Sequence, residues 1–214
     1  MPTPLPLHYL TLTSGGKDSH LSSHLLSLPP YSHVCVGYVH VAPVLRGDPE
    51  GGGGGGEENS FMFQSACSDV VVGCLGEVTG LPVYVLRVGG GGVVEKEEEE
   101  DDATNGGGAQ GFSKRLHYVP SSPSDEIELL YRFLLHLRSH VLPSSGLPQP
   151  TALCSGATMS TYQRTRVESV CGRMGWRSMA PLWRMGEGRI LGLCKGMDVR
   201  VVKVRERGGV VCGV

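Results

Sequence analysis

A run of six residues, Ser14-Gly15-Gly16-Lys17-Asp18-Ser19, constrains this chain more than any other stretch, because of what flanks it. Before it stands Leu7-His8-Tyr9-Leu10-Thr11-Leu12-Thr13, an apolar segment with strand character, and after it a segment with helical spacing. Adjacent glycines allow a tight turn and bring backbone N–H groups close to an anion, and a helix start just downstream adds the positive end of its dipole. The Ser14 and Ser19 hydroxyls and the Lys17 ammonium can take further phosphate oxygens, so the run suits a pyrophosphate better than a single carboxylate. A Walker A loop is excluded, since that pattern needs Ser or Thr after Gly-Lys and a Gly where Thr11 stands; here Asp18 follows Lys17. A bare Gly-Gly turn would bind nothing; the surrounding donors favour nucleotide binding.

With 214 residues and 40% hydrophobic content, the chain can bury one sizeable core with a small appendage. No apolar run approaches the roughly 20 residues of a membrane helix, so no membrane association is expected. The start, Met1-Pro2-Thr3-Pro4-Leu5-Pro6, lacks the basic and apolar regions of a signal peptide. Seven cysteines without a C-x-x-C spacing read as free thiols rather than a zinc site, and the cytoplasm is the expected location. Net charge is −2, but residues 1–150 carry eight Lys and Arg against seventeen Asp and Glu, whereas residues 151–214 carry eleven against four. A basic final third can face phosphates or an acidic partner, and it equally follows from acids concentrated in inserts elsewhere.

Those inserts are legible. Six consecutive glycines, 51–56, mark a flexible loop within residues 47–58, and residues 89–111 combine glycines with the acidic run Glu97–Asp102. Between them the pattern alternates. Leu21, Leu25 and Leu28 predict a short amphipathic helix stopped by Pro29-Pro30, and residues 34–41 a buried strand. Met62, Ala66, Val70 and Cys74 predict a helix ended by Gly80, and residues 81–86 a third strand. Ser122-Pro123-Ser124-Asp125 reads as a helix start with serine as cap, continued by Ile127, Leu130, Leu134, Leu137 and Val141. A strand end at 153–156, a helix on Val167, Val170, Cys171 and Met174 closed by Gly175, and a strand at 179–183 complete the pattern. Alternating strands and helices without hairpin signals imply an α/β fold, a parallel sheet with helices on both faces, with the glycine loop at the carboxyl end of the first strand.

The second informative block is Gly156-Ala157-Thr158-Met159-Ser160-Thr161-Tyr162-Gln163-Arg164-Thr165-Arg166-Val167-Glu168. On a helix, Arg164 and Glu168 are four apart and can pair, while Tyr162, Gln163 and Arg166 place donors near its start. Together with the opening loop, which resembles the SGGxDS loop of N-type ATP pyrophosphatases (PP-loop proteins), this block resembles the GAI-S-x-YQR-x-RVE segment of diphthine–ammonia ligases. Asn59–Gln64, Ser124–Leu130 and Pro181-Leu182-Trp183 resemble further segments of that family in the same order. Met159 departs from its usual Ile or Leu, and both glycine-rich inserts are peculiar to this chain.

The resemblance implies a Rossmann-like, adenine nucleotide alpha hydrolase-like domain over residues 1–183, with 184–214 the start of a truncated C-terminal substrate domain. It implies ATP-dependent amidation of diphthine on elongation factor 2 by ammonia, through an acyl-adenylate with release of AMP and pyrophosphate. ATP would be held by Ser14, Gly15, Gly16, Lys17, Asp18, Ser19 and Gly156, with Lys17 and Asp18 catalytic, and Asp18 either orienting the loop or coordinating Mg2+. Asn59, Gln64, Glu126, Glu128, Tyr162, Gln163, Arg164, Arg166 and Glu168 would be substrate-binding, although acids at 125–128 equally suit the solvated first turn of a helix. Two other readings stay open. One is a related PP-loop ATPase acting on tRNA, disfavoured by the lack of paired cysteines and of a strongly basic surface; the other is a nucleotide-binding protein without catalysis.

Overall fold

The computed structural model describes residues 5–44, 68–89, 125–195, 204–206 and 209–211. Five strands, β1 (His8–Thr13), β2 (Val34–Val44), β3 (Val83–Gly89), β4 (Ala152–Cys154) and β5 (Arg177–Met179), form one sheet in the order β3-β2-β1-β4-β5, every pair parallel. Helices α1 (Lys17–Ser27), α2 (Ser68–Thr79), α3 (Glu126–His136) and α4 (Thr161–Met174) connect them, followed by α5 (Glu187–Leu193). The strand order reverses between β1 and β4, and right-handed crossovers then put α1 and α4 on opposite faces. This is the Rossmann-like α/β fold expected. No described helix is long and apolar enough to cross a membrane.

The two faces of the sheet differ in chemistry. On one, Leu10, Leu12, Val39, Val41 and Leu153 pack with Ile127, Leu130 and Leu134 of α3 and Val167, Val170 and Met174 of α4, forming the main core. On the other, β1 presents Tyr9, Thr11 and Thr13, and α1 answers with serines. The Tyr9 hydroxyl donates to the Ser23 carbonyl at 2.9 Å and the Thr11 hydroxyl donates to Ser23 Oγ at 3.3 Å. Small side chains let α1 lie close to the strands, which brings its first turn against the end of β4.

Several expectations shift. The helix expected before Pro29-Pro30 is present as α1, but its leucine stripe is only part of what it buries: Ser19, Leu21, Ser22, Ser23 and Leu26 are buried, whereas Leu28 is 41% exposed. Leu21 and the half-buried Leu25 instead pack with Leu182, Met185, Ile190 and Cys194, so α5 and the turn before it dock on α1. The strand expected at 179–183 lies at Arg177–Met179, because Pro181 begins a turn through Arg184 that leaves the sheet. Asp125, not a serine, caps α3, its carboxylate accepting from Ile127 N–H at 2.8 Å. That helix also ends earlier as an α-helix, passing through a π turn (Leu137–Val141) and a 3-10 turn (Leu142–Ser144) as Pro143 removes a donor. A two-stranded antiparallel pair, β6 (Val204–Glu206) with β7 (Gly209–Val211), was not signalled. The expected helix start around Met62 and Ala66, the glycine run 51–56 and the insert beyond Gly89 lie outside the described residues.

Candidate nucleotide site

β1 delivers the chain to the sheet's carboxyl edge at Thr13, and the next three residues turn it into α1. Gly15 takes φ +84°, a left-handed conformation, and a Cβ there would stand 2.5 Å from Val71 Cγ2 on α2. Gly16 is the N-cap of α1, and no side chain caps that helix, so the first-turn amides of Lys17, Asp18 and Ser19 are not taken by a capping residue.

Beneath the turn runs a directed chain of hydrogen bonds. Gly15 N–H donates to Thr13 Oγ1 at 3.0 Å, and Ser19 Oγ donates to the Gly16 carbonyl at 2.8 Å. The 3.0 Å contact between the Thr13 and Ser19 hydroxyls therefore runs from threonine to serine, since the serine proton is already committed. His40 of β2, fully buried, donates from Nδ1 to the Thr13 carbonyl at 2.9 Å. The turn is thus pre-shaped, with the Gly15 amide and Ser19 hydroxyl directed inward. Thr13 and His40 were missed by sequence reasoning. The signal was present in the alternation of β1, where threonines occupy one face of a central parallel strand that ordinarily would be apolar on both.

Lys17 Nζ donates to Asp18 Oδ1 at 2.9 Å, both side chains about one-third exposed. Asp18 lines a cleft of about 290 Å3 together with Thr13, Ser14, Gly16 and Ser19 on one side and residues 155–158, Gln163 and Val167 on the other. The cleft sits where the strand order reverses, the position at which open parallel sheets bind ligands. Gly156 is needed here for backbone contact: a Cβ on it would lie 2.7 Å from Ser19 N and 2.8 Å from Asp18 C.

The second block forms the opposite wall and rim. Ser160 caps α4, accepting from Gln163 N–H at 3.2 Å. Arg164 donates from Nε to Glu168 at 2.6 Å, the pairing its spacing suggested, and its guanidinium lies 4.7 Å from the Trp183 ring centre. Arg166 stacks 3.1 Å from the centre of Tyr162, which is 45% exposed. Burial pushes the Tyr162 hydroxyl pKa up against the opposing Arg166 charge, and Asp125 and Glu126 act in the upward direction.

Glu128 is spent differently. It accepts two hydrogen bonds from Arg173, at 2.5 and 2.9 Å, clasping α3 to α4, and Arg173 holds its carboxyl below the usual range. Among the residues expected to form the site, Ser14, Gly16, Asp18, Ser19, Gly156 and Gln163 converge on the cleft. Gly15 and Lys17 belong to the same turn, and Tyr162, Arg164, Arg166 and Glu168 to the first turns of α4, without lining the cleft; Glu126 and Glu128 on α3 do not line it either, and Asn59 and Gln64 lie outside the described residues.

Cys154 ends β4 just before the cleft-lining Ser155, and burial raises its thiol pKa, which disfavours the thiolate. Cys171 is pushed up to about 12 by burial. His20, on the first turns of α1, sits against Tyr38, ring centres 6.2 Å apart, and burial lowers its pKa. Charging it is thus harder in the folded state than in the unfolded one. Stability is complete above the ordinary histidine pKa of about 6.5 and declines as pH falls through that value toward the lower folded pKa. Urea midpoints measured between pH 7 and 5 are expected to fall less steeply for His20→Gln than for the parent; parallel curves would remove His20 as the cause.

No protein-family model matches the chain. Curated relatives do. A protein of Schizosaccharomyces pombe is 32% identical over 203 residues, 93% of this chain and 27% of its own length. Relatives from Danio rerio and Homo sapiens are 26% and 24% identical over 92% of this chain, 64% and 61% of their own lengths. All three are named diphthine–ammonia ligase, so the resemblance carried by Ser14–Ser19 and Gly156–Glu168 is borne out, and the chain spans less than two thirds of each relative. Among solved structures, one described as a subunit of tRNA methyltransferase from Methanocaldococcus jannaschii superposes with TM-score 0.43 at 13% identity, covering 88% of this chain and 74% of that one.

Proposed function

We infer, from the kinship with diphthine–ammonia ligases, that this chain is the ATP-activating part of such an enzyme, a ligase that amidates diphthine on elongation factor 2 with ammonia. The observation that carries the reading is the position of the Ser14–Ser19 turn. It faces, across one cleft at the switch point of the sheet, the Gly156–Glu168 block that the family resemblance singles out.

The chemistry follows from the parts. ATP lies with its β- and γ-phosphates against the uncapped first turn of α1, where amide dipoles and the Lys17 ammonium favour negative charge. A carboxylate oxygen of diphthine attacks the α-phosphorus, the bond from that phosphorus to the bridging oxygen of the β-phosphate breaks, and pyrophosphate leaves. Charge grows on the leaving group, and Lys17 and the loop amides are already in place to neutralise it. Ammonia then attacks the acyl carbon, the bond to AMP breaks, and the excess proton passes to the phosphate or solvent. Binding the nucleotide frees Lys17 from Asp18, because a polyphosphate is the stronger partner for the ammonium.

Asp18 is then available to Mg2+. One carboxylate with nucleotide oxygens and water is a sufficient donor set for this ion, and no group of three or more His, Cys, Asp or Glu that could hold a metal occurs among the described residues. Mg2+ on the nucleotide supplies charge neutralisation at the phosphates.

ATP–pyrophosphate exchange tests the reading. Exchange that appears only with diphthine-bearing elongation factor 2 supports it. Exchange stimulated by tRNA instead, or nucleotide binding with no exchange under any of these conditions, sinks it in favour of one of the other two readings.

A further inference from the structure

The turn Pro181–Arg184 touches three structures at once. Leu182, fully buried, packs on Leu21 of α1. Trp183 carries the Arg164 guanidinium on its ring. Arg184, one of two non-glycine residues with positive φ among the described residues, takes φ +58° and donates its N–H to the carbonyl of cleft-lining Thr158 at 2.7 Å. A non-glycine residue held in the left-handed region is conformationally costly and persists only where its surroundings hold it. Here Leu182 and the Thr158 bond hold it, and the result fixes Trp183 beneath Arg164.

Arg164 is correspondingly constrained. Its Nε is committed to Glu168 at 2.6 Å and one face of its plane to Trp183, while Nη1 and Nη2 make no hydrogen bond among the described residues. Two constraints on a planar group leave a fork of fixed orientation with its outer edge open, the arrangement suited to a bidentate oxyanion. A flexible arginine would lose far more side-chain entropy on binding the same ligand.

We propose that Arg164, next in the chain to cleft-lining Gln163 and stacked on the Trp183 that precedes the Arg184–Thr158 bond, is an oxyanion clamp beside the cleft, and that Trp183 and Glu168 are its positioning residues rather than substrate contacts. This rests on the reading of the cleft as a nucleotide site. A single phosphate or carboxylate is the ligand chemistry, and the cleft offers two sources: the α-phosphate of the nucleotide and the carboxylate of the acceptor.

Calorimetric titration with AMP and binding of diphthine-bearing elongation factor 2 separate the two sources. Arg164→Met is expected to weaken one of these about tenfold or more, as loss of a charge-assisted bidentate pair does, with inorganic pyrophosphate unaffected at the phosphate turn. Glu168→Gln and Trp183→Leu are expected to weaken the same ligand by roughly threefold or more, Trp183→Phe to restore it, and neither loss to add to Arg164→Met, since residues acting through one group are not additive. The Glu168→Gln variant leaves all packing in place, so it reads the clamp even where Trp183→Leu lowers stability. Weakened AMP alone assigns the clamp to phosphate, and a weakened acceptor alone assigns it to carboxylate. Losses at Trp183 or Glu168 that add in full to Arg164→Met overturn the positioning roles. Unchanged AMP affinity with no loss of acceptor binding overturns the clamp. Failure of the parent protein to bind the acceptor counts against the functional reading, while the AMP titration still decides the clamp.

Discussion

Gly156→Ala is expected to lower stability by about 3 kcal/mol, the upper part of the usual overpacking range, and to remove most nucleotide affinity with it. The added methyl would meet backbone, Ser19 N at 2.7 Å and Asp18 C at 2.8 Å, so no rotamer change relieves it. Relief requires the first turn of α1 to move away from the end of β4, and that turn presents the amides on which the phosphates would rest. Gly15→Ala makes an instructive contrast. Its Cβ would meet the Val71 side chain, which can shift, but φ +84° adds a left-handed penalty of about 1–2 kcal/mol for any residue with a Cβ. Thermal melting paired with ATP titration checks both. A Gly156→Ala protein that melts with the parent would show that α1 is not set by this contact, and the account of the cleft would fall with it.

These contacts mark the boundary of what could be read in advance. The alternation of strands and helices, and the Ser14–Ser19 turn at the end of β1, follow from local pattern and chemistry, which a sequence displays directly. The orientation of α1 does not. Leu21 and Leu25 form an apolar stripe, and a stripe says only that it is buried, not against what. Its partners, Leu182 and Ile190, are over 150 residues distant in the chain, while Ser19 and Ser23 face the sheet because the polar β1 face hydrogen-bonds them. The position of β5 failed for a related reason. Met179–Trp183 is apolar enough for a strand, yet Leu182 and Trp183 serve α1 and α4 from a turn. At the site, the Arg164–Glu168 pair was legible from its i,i+4 spacing, whereas the employment of Glu128 by Arg173, 45 residues away, was not.

Lys17→Met is expected to reduce ATP–pyrophosphate exchange by a factor of about 10²–10³, the usual effect of deleting one preorganised donor from a developing anion. Its thermal midpoint should barely change, because the Lys17–Asp18 pair is partly exposed and such pairs contribute less than about 1 kcal/mol. Asp18→Asn separates two roles for the neighbouring carboxylate. As a ligand of Mg2+ it would, when neutralised, raise the Mg2+ concentration needed for half-maximal exchange while leaving affinity for metal-free nucleotide intact. As an orienting partner of Lys17 it would instead mimic a mild Lys17→Met at every Mg2+ concentration. Its place in the cleft lining, with Lys17 Nζ only 2.9 Å away, makes the first outcome the expected one: polyphosphate takes the ammonium and leaves the carboxylate facing the phosphates. Full exchange activity in Lys17→Met would remove the Ser14–Ser19 turn as the pyrophosphate cradle, because Lys17 is the one cation that this turn carries.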